Sequence, residues 1–335
     1  MRIAQAPRTT RRLQPATAPQ LRRAPDPMLA EVLAGLERRP RSIPSRYFYD
    51  ERGTRLFQWI SNLPDYYLTR VERQILAARG AAMVAPLLGA PCTVVDLGAG
   101  DGHKTRILLE LLTGRVPKLV YAPVDVSPSA LDEASERIRG DLAGVAIRPV
   151  QAGYGEAIRR LSAPKGGHKL VLFLGSSIGN LEHSDAASFL REMRSALRPG
   201  DHVIVGFDLV KPLALLLRAY DDPQGVTRAF NLNLLARLNR DFGADFDVEG
   251  FRHVAAWDPR RPAMESWLEA ERAQEVHIAG RELQFEPGER IHTEISCKYT
   301  DRQVTEFASR GGYVEVGRYH DDRHWFVDVL WAVPR

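Results

Sequence analysis

From about residue 71 to 210 the chain alternates between apolar spacings of helix period and short apolar runs of strand length. Val71 to Leu88 reads as a helix, followed by strands near 93–97 and 119–125. Ser127-Pro128 then supplies an N-cap with proline in the first helical position, and the helix it opens extends to about Arg139. A strand near 145–150, the apolar run Lys169–Gly175, a helix from about Ser184 to Leu197 and a strand Asp201–Asp208 follow, with Arg198-Pro-Gly200 ending the helix. Strands separated by helices of this length imply a parallel sheet covered on both faces.

The pattern then changes. Residues 211–242 read as helical and amphipathic, and 262–299 as successive strands joined by turns at Ala279-Gly280 and Pro287-Gly288. A helix near 301–310 and strands near 313–319 and 325–333 close the chain. The expected organisation is α/β, with a discontinuous second domain of α+β character. Residues 28–70 and 211–297 would form that second domain, and 71–210 with 298–335 the main one. A cleft at such a junction is a common ligand site.

Composition narrows the classes. No apolar stretch approaches the length needed to span a bilayer. The two cysteines, Cys92 and Cys297, are far apart and form no C-x-x-C pair, so neither a disulfide framework nor a zinc ribbon is supported and a reducing cytoplasm fits. The net charge of +4 is concentrated: residues 1–27 hold six arginines against Asp26 alone. That segment, rich in proline, threonine and alanine, reads as a disordered basic tail, although an Arg-rich, acid-poor start also imitates a transit peptide. The remainder has no basic stripe interleaved with aromatics, which argues against nucleic-acid binding.

The most informative segment is Thr93-Val-Val-Asp96-Leu-Gly98-Ala-Gly100-Asp-Gly102-His-Lys104. It reads as strand, tight turn and helix, with glycines where backbone comes close to a ligand. The spacing is G-x-G-x-G with an acid two residues ahead, not the dinucleotide G-x-G-x-x-G, and no hydride-transfer constellation accompanies it. This form resembles the first motif of S-adenosylmethionine-dependent methyltransferases with a Rossmann-like fold. Asp125 ends an apolar strand 27 residues after Gly98, where an acid either binds ribose hydroxyls or caps the next helix. Lys104 lies in the first helical turn, where the dipole disfavours a cation; it either faces an anion such as a ligand carboxylate or is simply solvated.

Longer motifs carry a closer resemblance. Tyr47-Phe-Tyr49-Asp50, Leu63-Pro-Asp-Tyr66-Tyr67-Leu-Thr-Arg70, Leu174-Gly-Ser-Ser-Ile-Gly-Asn180-Leu181, Ala219-Tyr220-Asp-Asp-Pro-Gln-Gly225-Val-Thr227 and Thr293-Glu294-Ile-Ser296-Cys297-Lys298 occur in order from about residue 40 to 300. In these the chain resembles the ergothioneine-pathway histidine Nα-methyltransferases, which convert L-histidine to its trimethylammonium betaine, hercynine. The resemblance implies a Rossmann-like class I methyltransferase that uses S-adenosyl-L-methionine and no metal. It places the cofactor on Gly98, Lys104, Asp125, Gly153 and Tyr154, and the amino acid on Tyr66, Asn180, Tyr220, Glu294 and Ser296. The base that takes the amine proton is not identified. Two positions depart from the family pattern: Gly153-Tyr154 stands where relatives carry an Asp-Phe pair against adenine, and Ser266 where the imidazole pocket carries methionine.

These roles are physically sensible. Glu294 and Ser296, two apart on a strand, share a face, and a carboxylate beside a hydroxyl can engage both imidazole nitrogens; an exposed polar strand face is the alternative. Asn180 follows an apolar strand at the edge where open α/β sheets bind ligands, or simply forms a Gly-Asn turn. Tyr66 and Tyr220 offer hydroxyls and faces that tolerate methylammonium charge, or pack a domain contact. The expectation is a cytoplasmic, monomeric enzyme acting on a small amino acid, with no nucleic-acid or membrane partner. The alternatives are an N-methyltransferase of another aromatic α-amino acid, or a non-catalytic metabolite-binding protein of the same fold.

Overall fold

The structure, a computed structural model, describes residues 26–335. The expected basic tail, apart from its last two residues, lies outside the described residues. The main sheet runs in the order Val314–His320, Phe326–Ala332, His202–Asp208, His168–Phe173, Cys92–Leu97, Leu119–Asp125 and Val145–Ile147. Pairing is parallel from His202–Asp208 to Val145–Ile147, and antiparallel where Phe326–Ala332 joins His202–Asp208 and Val314–His320. All six residues of Cys92–Leu97 and all seven of His202–Asp208 are buried, as sheet positions covered on both faces must be. Each fully buried Val or Leu there contributes roughly 1.5–3 kcal/mol.

Helix Pro128–Asp141 starts as its sequence dictates: the Ser127 hydroxyl accepts the Ala130 amide at 3.4 Å and Pro128 fills the first turn. Two readings are corrected and one strand is added. The strand near 145–150 is two short pieces, Val145–Ile147 and Val150–Gln151, each paired with Leu119–Asp125. The helical stretch 211–242 is two helices, Leu213–Tyr220 and Val226–Phe242. Gly225, at φ 72°, turns the chain between them, and the Asp222 carboxylate accepts the Val226 and Thr227 amides at 3.0 and 2.7 Å. Phe251–Asp258, not foreseen, is a strand.

A second sheet is ordered Arg41–Ser42, Arg290–Cys297, Ala263–Ala270, Phe251–Asp258. Its core joins Leu36, Phe48, Ile60, Phe230, Leu234 and Phe251 from both parts of the chain that flank the main sheet in sequence. The two sheets meet where the chain leaves Cys297. Tyr299 bridges to Leu209, its amide donating to the Asp208 carbonyl at 2.9 Å. Residues 296–299 are thereby held against the carboxyl end of His202–Asp208. Among the described residues no helix is long and apolar enough to cross a membrane.

Candidate functional site

The glycine turn is built by positive φ at Gly98 (72°), Gly100 (54°) and Gly102 (72°), a region strained for residues with a side chain. A Cβ on Gly98 would also stand 3.0 Å from the Tyr154 hydroxyl, whereas one on Gly100 would meet nothing within 4 Å. Gly102 caps helix His103–Leu112, so bare backbone lies at a helix N-terminus, where amides point outward. Asp96 does not face this opening. It is buried, accepting the Thr105 and Tyr121 hydroxyls at 2.6 and 3.0 Å; burial pushes its carboxyl up to about 6.

Asp125 ends the neighbouring strand and accepts the Ser127 amide at 2.9 Å. Burial raises its pKa, against backbone amides that include Gly100. Its carboxylate thus joins the glycine turn to the start of the next helix. Beyond it, Val126 and Tyr49 border an open surface depression together with Tyr47 and Arg237, which none of Gly98, Tyr154, Tyr220 and Glu294 lines. Tyr154 packs edge-on to Phe173 with centroids 5.3 Å apart. Gly153, the N-cap of helix Tyr154–Arg160, makes no side-chain cap, and a Cβ there would meet nothing within 4 Å.

The anion beside Lys104 belongs to the protein. Lys104 Nζ donates to Glu72 at 2.5 Å, and the Glu72 carboxylate accepts the Gly175 amide at 2.7 and 2.9 Å. Burial, and then the Glu72 charge, raise the carboxyl of neighbouring Asp328 well above its ordinary value.

The other residues converge from the second sheet. Register places Glu294 opposite Ser266 and Ser296 opposite Met264, while Ile295 and Cys297 turn into the core. Ser266 donates to Glu294 at 3.2 Å. Glu294 keeps part of its surface open, yet burial pushes its carboxyl up to about 7, against the Ser266 hydrogen bond and the Lys298 charge. The Tyr220 hydroxyl donates to Ser296 at 2.7 Å. Tyr66 precedes helix Tyr67–Val84 and packs against two of the three buried cores. Burial raises its hydroxyl pKa, with Tyr220 and Glu294 adding to the shift. Asn180 is exposed at the end of the turn Ser177–Asn180, whose Gly179 abuts Cys297 closely enough that a Cβ would stand 3.0 Å from its carbonyl.

Sequence reasoning gave no role to several residues that the fold gathers here. Tyr49 packs against Phe57 and Phe230 with centroids 5.6 and 5.8 Å apart; burial raises its hydroxyl, with Glu294, Tyr66, Tyr154 and Asp125 adding to the shift. Behind Tyr220 sits a fully buried polar cluster. Asp208 accepts Tyr67 at 2.7 Å and Lys298 at 2.9 Å, and also binds Lys211. Burial alone would raise the Asp208 carboxyl, but Lys298 and Lys211 hold it below its ordinary value; burial pushes Lys211 down to about 8. The lone apolar strand ending in Asp208 and the lysine of Thr293–Lys298 were the available signals. Their meeting depends on topology across ninety residues.

Two surface groups, Asp301/His320/His324 and Glu275/His277/Glu282, are close enough to share a metal ion. Asp301 is already held by Arg318 at 2.7 Å and His320 at 2.9 Å, as in an ordinary surface network.

A mostly parallel sheet with a glycine turn at one strand end, an acid at the next and a capping second sheet defines a class I, Rossmann-like methyltransferase. A family model for histidine-specific, S-adenosylmethionine-dependent methyltransferases matches residues 28–333. Histidine N-alpha-methyltransferase of Mycobacterium tuberculosis is 42% identical over 84% of this chain and 87% of its own. Its counterpart from Mycolicibacterium smegmatis is 40% identical over 91% and 92%. Ergothioneine biosynthesis protein 1 of Schizosaccharomyces pombe is 30% identical over 83% of this chain and 37% of its own length. The chain belongs to the histidine-specific, S-adenosylmethionine-dependent methyltransferase family.

Proposed function

We propose that this protein transfers three methyl groups in succession to the α-amino nitrogen of L-histidine, giving hercynine. The observation that carries the reading is the pairing of Glu294 with Ser296 on one strand face, beside Tyr66 and Tyr220. A carboxylate and a hydroxyl at that spacing suit the two nitrogens of an imidazole.

S-adenosylmethionine, when bound, supplies a methyl group activated by its sulfonium. The bare turn Gly98–Gly102 and the Asp125 carboxylate fit such a molecule, because a Cβ at Gly100 would meet nothing within 4 Å, while the His103 amide at the helix N-terminus is taken by the Asp101 carboxylate at 3.1 Å. Gly98, Asp125, Gly153 and Tyr154 would hold it, with Lys104 divided between the ligand carboxylate and Glu72. Tyr66, Asn180 and Tyr220 would hold the α-amino and carboxylate groups, and Glu294 and Ser296 the ring. The aromatic faces of Tyr49, Tyr66 and Phe57, packed at centroid distances of 5.6 and 6.2 Å around Phe57, suit a nitrogen that gains charge and apolar surface with each transfer. The residues accelerate transfer chiefly by alignment and by excluding water.

Mass spectrometry of histidine incubated with enzyme and methyl donor tests this: one, two and three added methyls are expected. No mass gain on histidine alongside gain on tryptophan would overturn it. Ser266, smaller than the methionine of relatives, favours another aromatic α-amino acid as the second reading.

A further inference from the structure

Lys298 touches no open surface, yet it controls what Ser296 can do. Its ammonium is completely buried and has three partners: Asp208 Oδ2 at 2.9 Å, the Tyr220 hydroxyl at 2.8 Å and Ser296 Oγ at 2.8 Å. An ammonium has three hydrogens to donate and no lone pair, so each partner must turn an acceptor towards it. Tyr220 therefore meets Lys298 with a lone pair and spends its own hydrogen on Ser296. Ser296 then receives two hydrogen bonds, one from Tyr220 and one from Lys298. A serine hydroxyl can accept two and donate one. Both acceptor positions are filled, and its hydrogen is left for a ligand.

From this geometry we infer that Lys298 is a positioning residue that fixes Ser296 as a hydrogen-bond donor, so that the Glu294–Ser296 pair reads one neutral tautomer of the substrate imidazole. The inference rests on the assignment of Glu294 and Ser296 to the ring and goes a step further. Ser296 gives its hydrogen to the ring nitrogen that carries a lone pair. Glu294, ionised, accepts from the ring N–H. An imidazolium would bring a second N–H against a hydroxyl that is already pointing its hydrogen outward. A protonated Glu294 would meet the ring N–H with a neutral carbonyl oxygen in place of a charged one, a weaker acceptor. The first proton breaks the match and the second weakens it.

The groups facing the pair are Tyr49 and Tyr66 from the helical layer, Tyr220 and Lys298, with Asp208 and Lys211 behind them. The tyrosine hydroxyls are all raised by burial, so they stay neutral through the range where Glu294 and imidazole titrate. Removal of Lys298 is tolerable in charge: one anion, Asp208, is left with one cation, Lys211.

The experiment compares the pH dependence of the histidine KM in wild type, Lys298→Met and Ser296→Ala, using full-length enzyme. In wild type KM is expected to rise up to about tenfold per pH unit as pH falls below about 6.5, since the proton gained by the imidazole leaves the Ser296 hydrogen without an acceptor. Lys298→Met frees Ser296 to rotate and accept, which moves the acid limb down, whereas loss of the Lys298 charge by itself raises Glu294 and would move it up; a net downward shift, with KM at pH 8 raised several-fold, is expected. An acid limb that keeps its position, with KM merely scaled, overturns the inference. If Lys298→Met does not fold, a ring probe decides: pyrrolylalanine offers an N–H but no ring acceptor. Wild type should prefer histidine over it by about tenfold or more, and Ser296→Ala should erase most of that preference. An unchanged preference refutes the donor role of Ser296. Wild type that fails to methylate histidine at any pH would instead refute the assignment of the substrate.

Discussion

At the scale of single residues, function and stability pull in opposite directions at Glu294. Its carboxyl rises from an ordinary 4.5 to about 7 because it is desolvated. A raised acid favours folding most below its unfolded pKa, and that contribution is lost as pH climbs through the folded value. At about 1.4 kcal/mol per pH unit, ionised Glu294 costs at most roughly 3 kcal/mol above pH 7. Glu294→Gln, which keeps an acceptor for Ser266, should therefore raise the urea midpoint of the free enzyme at pH 8 and change it little at pH 4.5, while raising the histidine KM strongly. A gain of equal size at both pH values would show that desolvated charge is not its origin. Gly153 offers the converse case. Its φ of −68° is ordinary and the space around a Cβ is open, so Gly153→Asp adds a helix cap and a carboxylate without strain. Calorimetric titration should find S-adenosylhomocysteine bound several-fold more tightly, in line with roughly 1 kcal/mol from one charge-assisted contact; weaker binding would mean that this edge does not meet the ligand.

At the scale of elements, what the sequence made legible follows from how local each signal is. The N-cap at Ser127, the strand Leu119–Asp125 and the closing helix Asp301–Gly311 are written in adjacent residues, and the reading matched them. The break between Leu213–Tyr220 and Val226–Phe242 is signalled by the polar run Asp221-Asp222-Pro223-Gln224-Gly225, and an apolar period read straight across that run misses it. Phe251–Asp258 escaped because its burial is only partial and its hydrogen bonds come wholly from Ala263–Ala270. The Asp222 cap carries a consequence. Burial would raise its carboxyl, but the Thr227 and Val226 groups hold it lower, and the loop it closes follows Tyr220 directly. Asp222→Ala should cost about 1 kcal/mol in thermal or urea unfolding. It should also raise KM for histidine more than for the methyl donor, because the end of the Tyr220 helix loosens; equal effects on the two constants would place the loop's influence elsewhere.

At the scale of the whole molecule, the candidate site is a junction, and this explains which of its residues sequence alone could name. Motif resemblance pointed to Tyr66, Asn180, Tyr220 and Glu294 because their types and order are distinctive. It said nothing of Asp208, Lys211 or Glu72: Lys298 reaches Asp208 only when the second sheet docks on the first, whereas Lys211 pairs with Asp208 three residues away and Glu72 with Lys104, both within the main-sheet part of the chain. The turn Gly98–Gly102 follows a strand of the main sheet, whereas Glu294 and Ser296 lie on the other sheet. Ligands that occupy both sides should therefore stabilise the molecule together. A ligand that binds only the folded state at a hundred times its Kd adds about 2.7 kcal/mol. S-adenosylhomocysteine alone should raise Tm by several degrees, and histidine added to it should raise Tm by more than the sum of the separate shifts, because the first ligand holds the junction that the second must close. NAD should give no shift. Asp125→Ala should reduce the shift from S-adenosylhomocysteine, and Asn180→Ala the additional shift from histidine. If Asp125→Ala removed only the histidine shift, the division of the cleft between methyl donor and amino acid proposed here would be reversed.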